Sequence, residues 1–159
     1  MNYFEDLEIG HTVELGHHLF SADFIKNFAR AYDPQAFHLD EAAAAASHFG
    51  ALCASGWQTS GVWMRLMVDH VKAETQKAMA AGRKPAVLGP SPGFRDLKWL
   101  KPVYAGDTIT YFSTITGKRE SASKPRWGLV THHNTGVNQN GERVFEFLGT
   151  VFWERRPQG

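Results

Sequence analysis

Gly56-Trp57-Gln58-Thr59-Ser60-Gly61-Val62-Trp63-Met64-Arg65-Leu66-Met67-Val68-Asp69-His70-Val71 is the stretch on which the fold turns. Trp57, Gly61, Met64, Met67 or Val68, and Val71 recur along one helical stripe, and Val62, Trp63 and Leu66 fill a second. A helix that is apolar nearly all round is buried rather than laid on a surface. The pattern turns polar from Lys72 and closes at Gly82, followed by Arg83 and Lys84, which predicts a helix over about 56 to 81.

C-terminal to this helix the chain reads as strands: Phe94 to Leu100, Thr108 to Thr116, Trp127 to Val137 and Arg143 to Trp153. Thr, Ile, Tyr, Phe and Val dominate them, with Ala105-Gly106-Asp107 and Asn138-Gln139-Asn140-Gly141 as turns between. Trp99, Tyr111, Phe112, Phe145, Phe147, Phe152 and Trp153 are read as core. On the N-terminal side, His11 to Phe20 is strand-like, and Ser21 caps a helix carrying Phe24, Ile25, Phe28, Ala29 and Tyr32 at helical spacing. That helix stops at Asp33, because a proline disfavours the α conformation in the residue before it. Asp40 caps a short helix, Glu41 to His48, which ends at Gly50. One long buried helix plus about five strands is an α+β arrangement, an antiparallel sheet wrapped around the helix.

The 159 residues suit one domain, 1–159, and neither a repeat nor a linker interrupts them. Such a length buries roughly 70% of its unfolded surface, enough for a core without disulfides or metal. Lys+Arg 17 against Asp+Glu 16 gives a net charge of +1, and no basic block stands ready to neutralise phosphates, which argues against nucleic acid. No apolar run approaches the ~20 residues that span a bilayer. Met1-Asn2-Tyr3-Phe4-Glu5-Asp6 carries acids where a signal peptide carries bases, so the expectation is a soluble, reduced, cytoplasmic protein.

Eight histidines invite a metal, but His17-His18 and His132-His133 are adjacent on strands, where neighbours point to opposite faces, and no His-x-x-x-His or paired cysteine occurs. No metal is expected. Gly89 to Gly93 carries prolines where a phosphate loop needs N–H groups. The lone Cys53 reads as a small buried residue, and Ser55 as a helix cap. What remains is Asp33-Pro34-Gln35-Ala36-Phe37-His38, a carboxylate and an imidazole five residues apart on a connection between helices. On the residues alone, the plainer reading is a helix-stop aspartate and an exposed loop histidine.

The run Phe28-Ala29-Arg30-Ala31-Tyr32-Asp33-Pro34-Gln35-Ala36-Phe37-His38-Leu39-Asp40-Glu41 resembles the signature of the MaoC-like dehydratases, the (R)-specific enoyl-CoA hydratase group of hot-dog folds. Ser47-His48-Phe49-Gly50 with Ala54-Ser55-Gly56-Trp57, and Leu97 through Thr108, match it in the same order. The resemblance implies a single hot-dog domain that hydrates a trans-2-enoyl thioester to the (R)-3-hydroxyacyl thioester, or the reverse. Asp33 and His38 would be the catalytic pair, Asp33 activating the water that attacks C3 and His38 orienting it and delivering the proton to C2. The Gly56 N–H would hold the thioester oxygen, with Ser55 and Trp57 beside it, and Trp57, Trp63 and Met64 walling the acyl pocket. No cofactor is implied beyond coenzyme A as part of the substrate, and Arg83, Lys84, Arg95 and Lys98 are candidates for its phosphates. A homodimer, or a multiple such as a dimer of dimers or hexamer, is implied, with sheets joined edge to edge and the active site shared. Gln35-Ala36 replaces the family's usual Asn-Pro, Ser55 a common His, and Met64 a serine that some hydratases carry. A hot-dog thioesterase and a non-catalytic acyl-thioester binding subunit are the rival readings. Apolar neighbours such as Phe37 and Trp57 are expected to raise the Asp33 pKa.

Overall fold

In the computed structural model, which describes residues 1–157, a short 3-10 turn (Phe4–Asp6) precedes β1 (Thr12–Leu19), α1 (Ala22–Tyr32), α2 (Ala36–Leu39), α3 (Glu41–Ala45) and α4 (Gly56–Ala80). β2 (Gly93–Trp99), β3 (Thr108–Glu120), β4 (Trp127–Val137) and β5 (Arg143–Glu154) follow. The five strands form one antiparallel sheet in the order β1-β3-β4-β5-β2, so the chain is α+β as expected. The sheet curls around α4 in the hot-dog manner. Val62, Trp63, Leu66 and Met67 of the helix pack into one cluster with Leu15, Tyr111, Phe145 and Phe147 of the strands.

Local chemistry sets the ends of these elements. The Ser21 hydroxyl accepts from Phe24 N and opens α1, and Asp33 ends it. The Asp40 carboxylate accepts from Ala43 N and opens α3. That helix is shorter than Glu41 to His48, because Ser47 breaks it by donating to the Ala44 carbonyl and accepting from Phe49 N. The β4–β5 turn closes on Asn138, whose side-chain Oδ1 accepts from Asn140 N and Glu142 N, with Gly141 at φ 78°. The Gly106 turn does not join neighbours: β2 pairs with β5 at one edge, and β3 with β1 at the other.

Two expectations about packing are corrected. The α4 stripe of Trp57, Met64 and Val68 is exposed at 58%, 53% and 40%, whereas Gln58, Thr59 and Val62 are buried against the sheet. A helix surrounded by apolar residues has two faces to cover, and one curled sheet covers only one. Trp99 is half-exposed at the end of edge strand β2 rather than in the core. Tyr111 lies fully buried, and its phenol donates to the Thr59 carbonyl at 3.0 Å, tying the sheet to the first turn of α4. Tyr111→Phe keeps the ring and loses this bond, so urea unfolding should show a loss of about 1 kcal/mol.

Candidate active site

Asp33 and His38 are brought together by two turns of chain. Asp33 caps the C-terminus of α1, Pro34 turns the backbone, and α2 returns His38 toward it. The His38 Nε2 lies 3.4 Å from Asp33 Oδ2. His38 is not an exposed loop residue: it sits on α2 and is buried, with Phe37 against its ring at 4.6 Å. Its Nδ1 lies 2.7 Å from the Cys53 carbonyl oxygen. A carbonyl only accepts, so Nδ1 carries a proton and Nε2 is the nitrogen that faces the carboxylate.

The segment that carries this carbonyl is held from below by the third sequence motif. Ala54 N donates to the Val103 carbonyl at 2.8 Å, Ala105 N donates to the Leu52 carbonyl at 3.0 Å, and Cys53 bridges Tyr104. The Tyr104 hydroxyl donates to Phe49 O. The crossover from β2 to β3 is therefore a clamp on residues 52–54, which accounts for a motif so far from the pair in sequence. Cys53 itself is buried, and burial pushes its thiol up to about 11, so it is a packed thiol rather than a nucleophile.

Ser55, fully buried, caps α4. Its hydroxyl accepts from Trp57 N at 3.3 Å, and its polarity beside Asp33 favours the charged carboxylate. Gln35 Nε2 donates to Asp33 Oδ1 at 2.8 Å, so the glutamine that replaces the usual asparagine holds the carboxylate from the other side. Burial opposes ionisation of Asp33, but the Ser55 hydroxyl, the hydrogen bond from Gln35 and the nearby imidazole outweigh it and hold the pKa below the ordinary aspartate value. The expected upward shift is thus reversed, because hydrogen bonds to the charged form replace the water it loses.

Gly56 opens α4, where the first N–H groups have no intrahelical acceptor and the helix dipole is positive. Its glycine is required by space, since a Cβ would fall 2.4 Å from the Trp99 indole. Trp99 also meets Trp57 edge to face at 5.1 Å and donates from Nε1 to Ser60 Oγ at 3.3 Å. This cover was not foreseen; adjacent Gly and Trp residues carry no signal that a distant Trp will fold over them. Trp57, Trp63 and Met64 border a cavity of about 600 Å³ that runs along α4 beneath β5 and β2. The cavity begins beside the pair rather than around it, since Trp57 and Ser60 line it and Asp33 and His38 do not.

The basic candidates are dispersed. Arg83 and Lys84 lie beyond the far end of the 25-residue α4, roughly 37 Å from Gly56 along its axis, too far for a phosphate of a thioester held there. Arg95 pairs with Asp96, and Lys98 with Glu146, at 3.2 Å each. No group of three or more His, Cys, Asp or Glu side chains suited to a metal occurs among the described residues. No described helix is long and apolar enough to cross a membrane.

Comparison with known proteins gives the family and the fold. Residues 7–138 match the MaoC like domain family. A solved MaoC-like dehydratase from Rhodospirillum rubrum is 32% identical, with a TM-score of 0.79 over 99% of this chain and 100% of that one. Mesaconyl-CoA hydratase of Cereibacter sphaeroides is 36% identical over 64 residues, which are 40% of this chain and 18% of that protein, so the match spans under a fifth of the relative's length. An (R)-hydratase from A. caviae involved in PHA biosynthesis, 21% identical with a TM-score of 0.64 over 96% of this chain and 99% of that one, shares the fold. With the helix-capped carboxylate, the buried imidazole and the clamp all falling within the matched residues, the chain belongs to the MaoC-like dehydratase domain family.

Proposed function

We propose that this protein adds water across a trans-2-enoyl thioester, or removes it from the 3-hydroxyacyl thioester, with Asp33 and His38 as the catalytic pair. The single observation that carries the reading is the approach of His38 Nε2 to Asp33 Oδ2, 3.4 Å, with Nδ1 committed to the Cys53 carbonyl. A water between the two gives one hydrogen to the carboxylate and one to Nε2, which turns its lone pair outward. That oxygen attacks C3, the C2–C3 π electrons move toward the thioester, and the Gly56 N–H at the start of α4 receives the charge on the enolate oxygen. One proton of the water passes to the pair and is delivered from His38 to C2 as the carbonyl re-forms. The product has gained one H and one OH, nothing is oxidised, and the thioester itself supplies the reactivity, so no cofactor enters the balance.

The reaction needs Asp33 ionised, and its depressed pKa keeps it so through the neutral range. Trp57, Trp63 and Met64 wall the acyl cavity in this reading, and coenzyme A or a carrier protein lies outside it. A homodimer, or a multiple of one, completes the site. Edge strand β2 is exposed at nearly every residue, its own Phe94 included, and it adjoins the exposed Trp57, Met64 and Val68 stripe. Pairing β2 with a second copy would remove an open edge and cover that stripe in one step.

Asp33→Asn and His38→Ala should each lower turnover of crotonyl-CoA by two or more orders of magnitude, read as loss of enoyl absorbance. Release of free thiol at the wild-type rate, without hydration, would instead favour a thioesterase. Ser55→Ala removes a hydroxyl that favours the ionised carboxylate, so the acid limb of kcat/KM, which in wild type lies below the ordinary carboxylate range, should move to higher pH. The same change removes the α4 cap and should cost about 1 kcal/mol in a melt. Light scattering at micromolar concentration should give a dimer or a multiple of it, and an active monomer would overturn the shared-site reading.

A further inference from the structure

The inner face of the sheet is apolar except at its centre. Along β4 the inward positions are Val130, His132, Asn134 and Gly136, and the middle two are polar. Ser113 on β3 stands opposite Asn134, and Phe147 on β5 stands on its other side, while His132 lies between Ile115 and Gly149. Ser113, His132 and Asn134 all border the α4 cavity, as does Trp63 from the helix side.

Three polar atoms of these side chains lie buried with no protein partner: His132 Nε2, Asn134 Oδ1 and Trp63 Nε1. His132 is 8% exposed and Asn134 1%. Leaving a buried polar atom unpaired costs about 1–3 kcal/mol, so three of them on the walls of one cavity call for a ligand atom. Packing does not require them there, since their strand neighbours Val130 and Gly136 are apolar.

We propose that this cluster recognises a hydroxyl group on the distal part of the acyl chain. The inference rests on the enoyl-thioester reading and adds the substrate class. The polarity of the cluster selects the atom. The Trp63 indole N–H can only donate, so its partner is an acceptor. The His132 Nδ1 lies 3.1 Å from Ser113 Oγ, and a hydroxyl donating to it leaves Nε2–H pointing into the cavity. The Asn134 NH2 donates to the His132 carbonyl at 3.4 Å, which leaves Oδ1 as an acceptor for the ligand. One hydroxyl thus meets two donors, His132 Nε2–H and Trp63 Nε1–H, and gives its own hydrogen to Asn134 Oδ1.

Charge excludes a carboxylate. Burial lowers the His132 imidazole to about 4, so the ring is neutral near pH 7. Lys72, the one Lys or Arg bordering the cavity among the described residues, is exposed at its rim. A buried carboxylate with only neutral donors costs far more than a hydroxyl. Distance fits a medium-length chain. Gly56 and Trp63 are seven residues, two turns, apart on the same face of α4, which is about 10 Å along the axis.

Calorimetry with octanoyl-CoA and its terminally hydroxylated analogue tests this without requiring turnover. The hydroxylated ligand should bind the wild type about tenfold tighter or more, and Asn134→Leu and Trp63→Phe should each bring the ratio toward one. Equal binding, preference for the plain chain, a ratio that survives both substitutions, tighter binding of the terminal carboxylate, or no binding of either ligand would overturn the proposal. Hydration of trans-2-octenoyl-CoA and its hydroxylated analogue is followed in parallel. Failure of both as substrates while the binding preference holds would remove the hydratase reading and leave the recognition site standing.

Discussion

One short segment, Cys53 to Gly56, joins the helix that builds the core to the Asp33–His38 pair. Its Ser55 hydroxyl takes the Trp57 N–H at the start of α4 and favours the charged form of the neighbouring Asp33. The carboxylate is thereby kept ionised beside a helix start, where negative charge is best received. His38 is tied to the same short segment through Cys53 O, and the segment is clamped by Val103 and Ala105. Asp33, His38 and the Gly56 N–H are therefore gathered around one short segment. A reaction that tolerates little misplacement gains from such a shared anchor.

Two buried histidines show how partners decide chemistry. His38 keeps one nitrogen on a carbonyl and turns the other to a carboxylate, an arrangement suited to moving a proton. His132 has a serine hydroxyl on one side and an apolar cavity on the other, with Trp153 stacked on it at 5.9 Å. Without a charged neighbour, burial keeps its ring neutral, and it is suited to hydrogen bonding rather than acid–base work. Asp33 shows the reverse balance, since donated hydrogen bonds keep it charged against burial.

The sheet also explains the cavity. A curled five-stranded sheet covers one side of α4, and small residues at its inner centre, Ser113 and Gly149, leave space between helix and strands. Trp99 lies over Gly56 at one end of this space and Lys72 borders it, while the sheet side is polar only at Ser113, His132 and Asn134. The uncovered stripe of α4 and the bare β2 edge adjoin the same end.

By itself the sequence determined what neighbours within a few residues decide. The Ser21 and Asp40 caps, the stop before Pro34, the Trp127 to Val137 strand and the Asn138 to Gly141 turn each follow from residues close together in the chain, and all were legible. The spacing of Asp33 and His38 was legible too, together with the family pattern around it. Only the tertiary structure decided that α2 forms and buries His38, that Ser55 and Gln35 reverse the expected shift of Asp33, and which stripe of α4 the sheet covers. Trp99 over Gly56 and the polar centre of the sheet belong with these. Each depends on residues tens of positions apart, and a side chain's environment is set by what packs against it, which no local periodicity encodes.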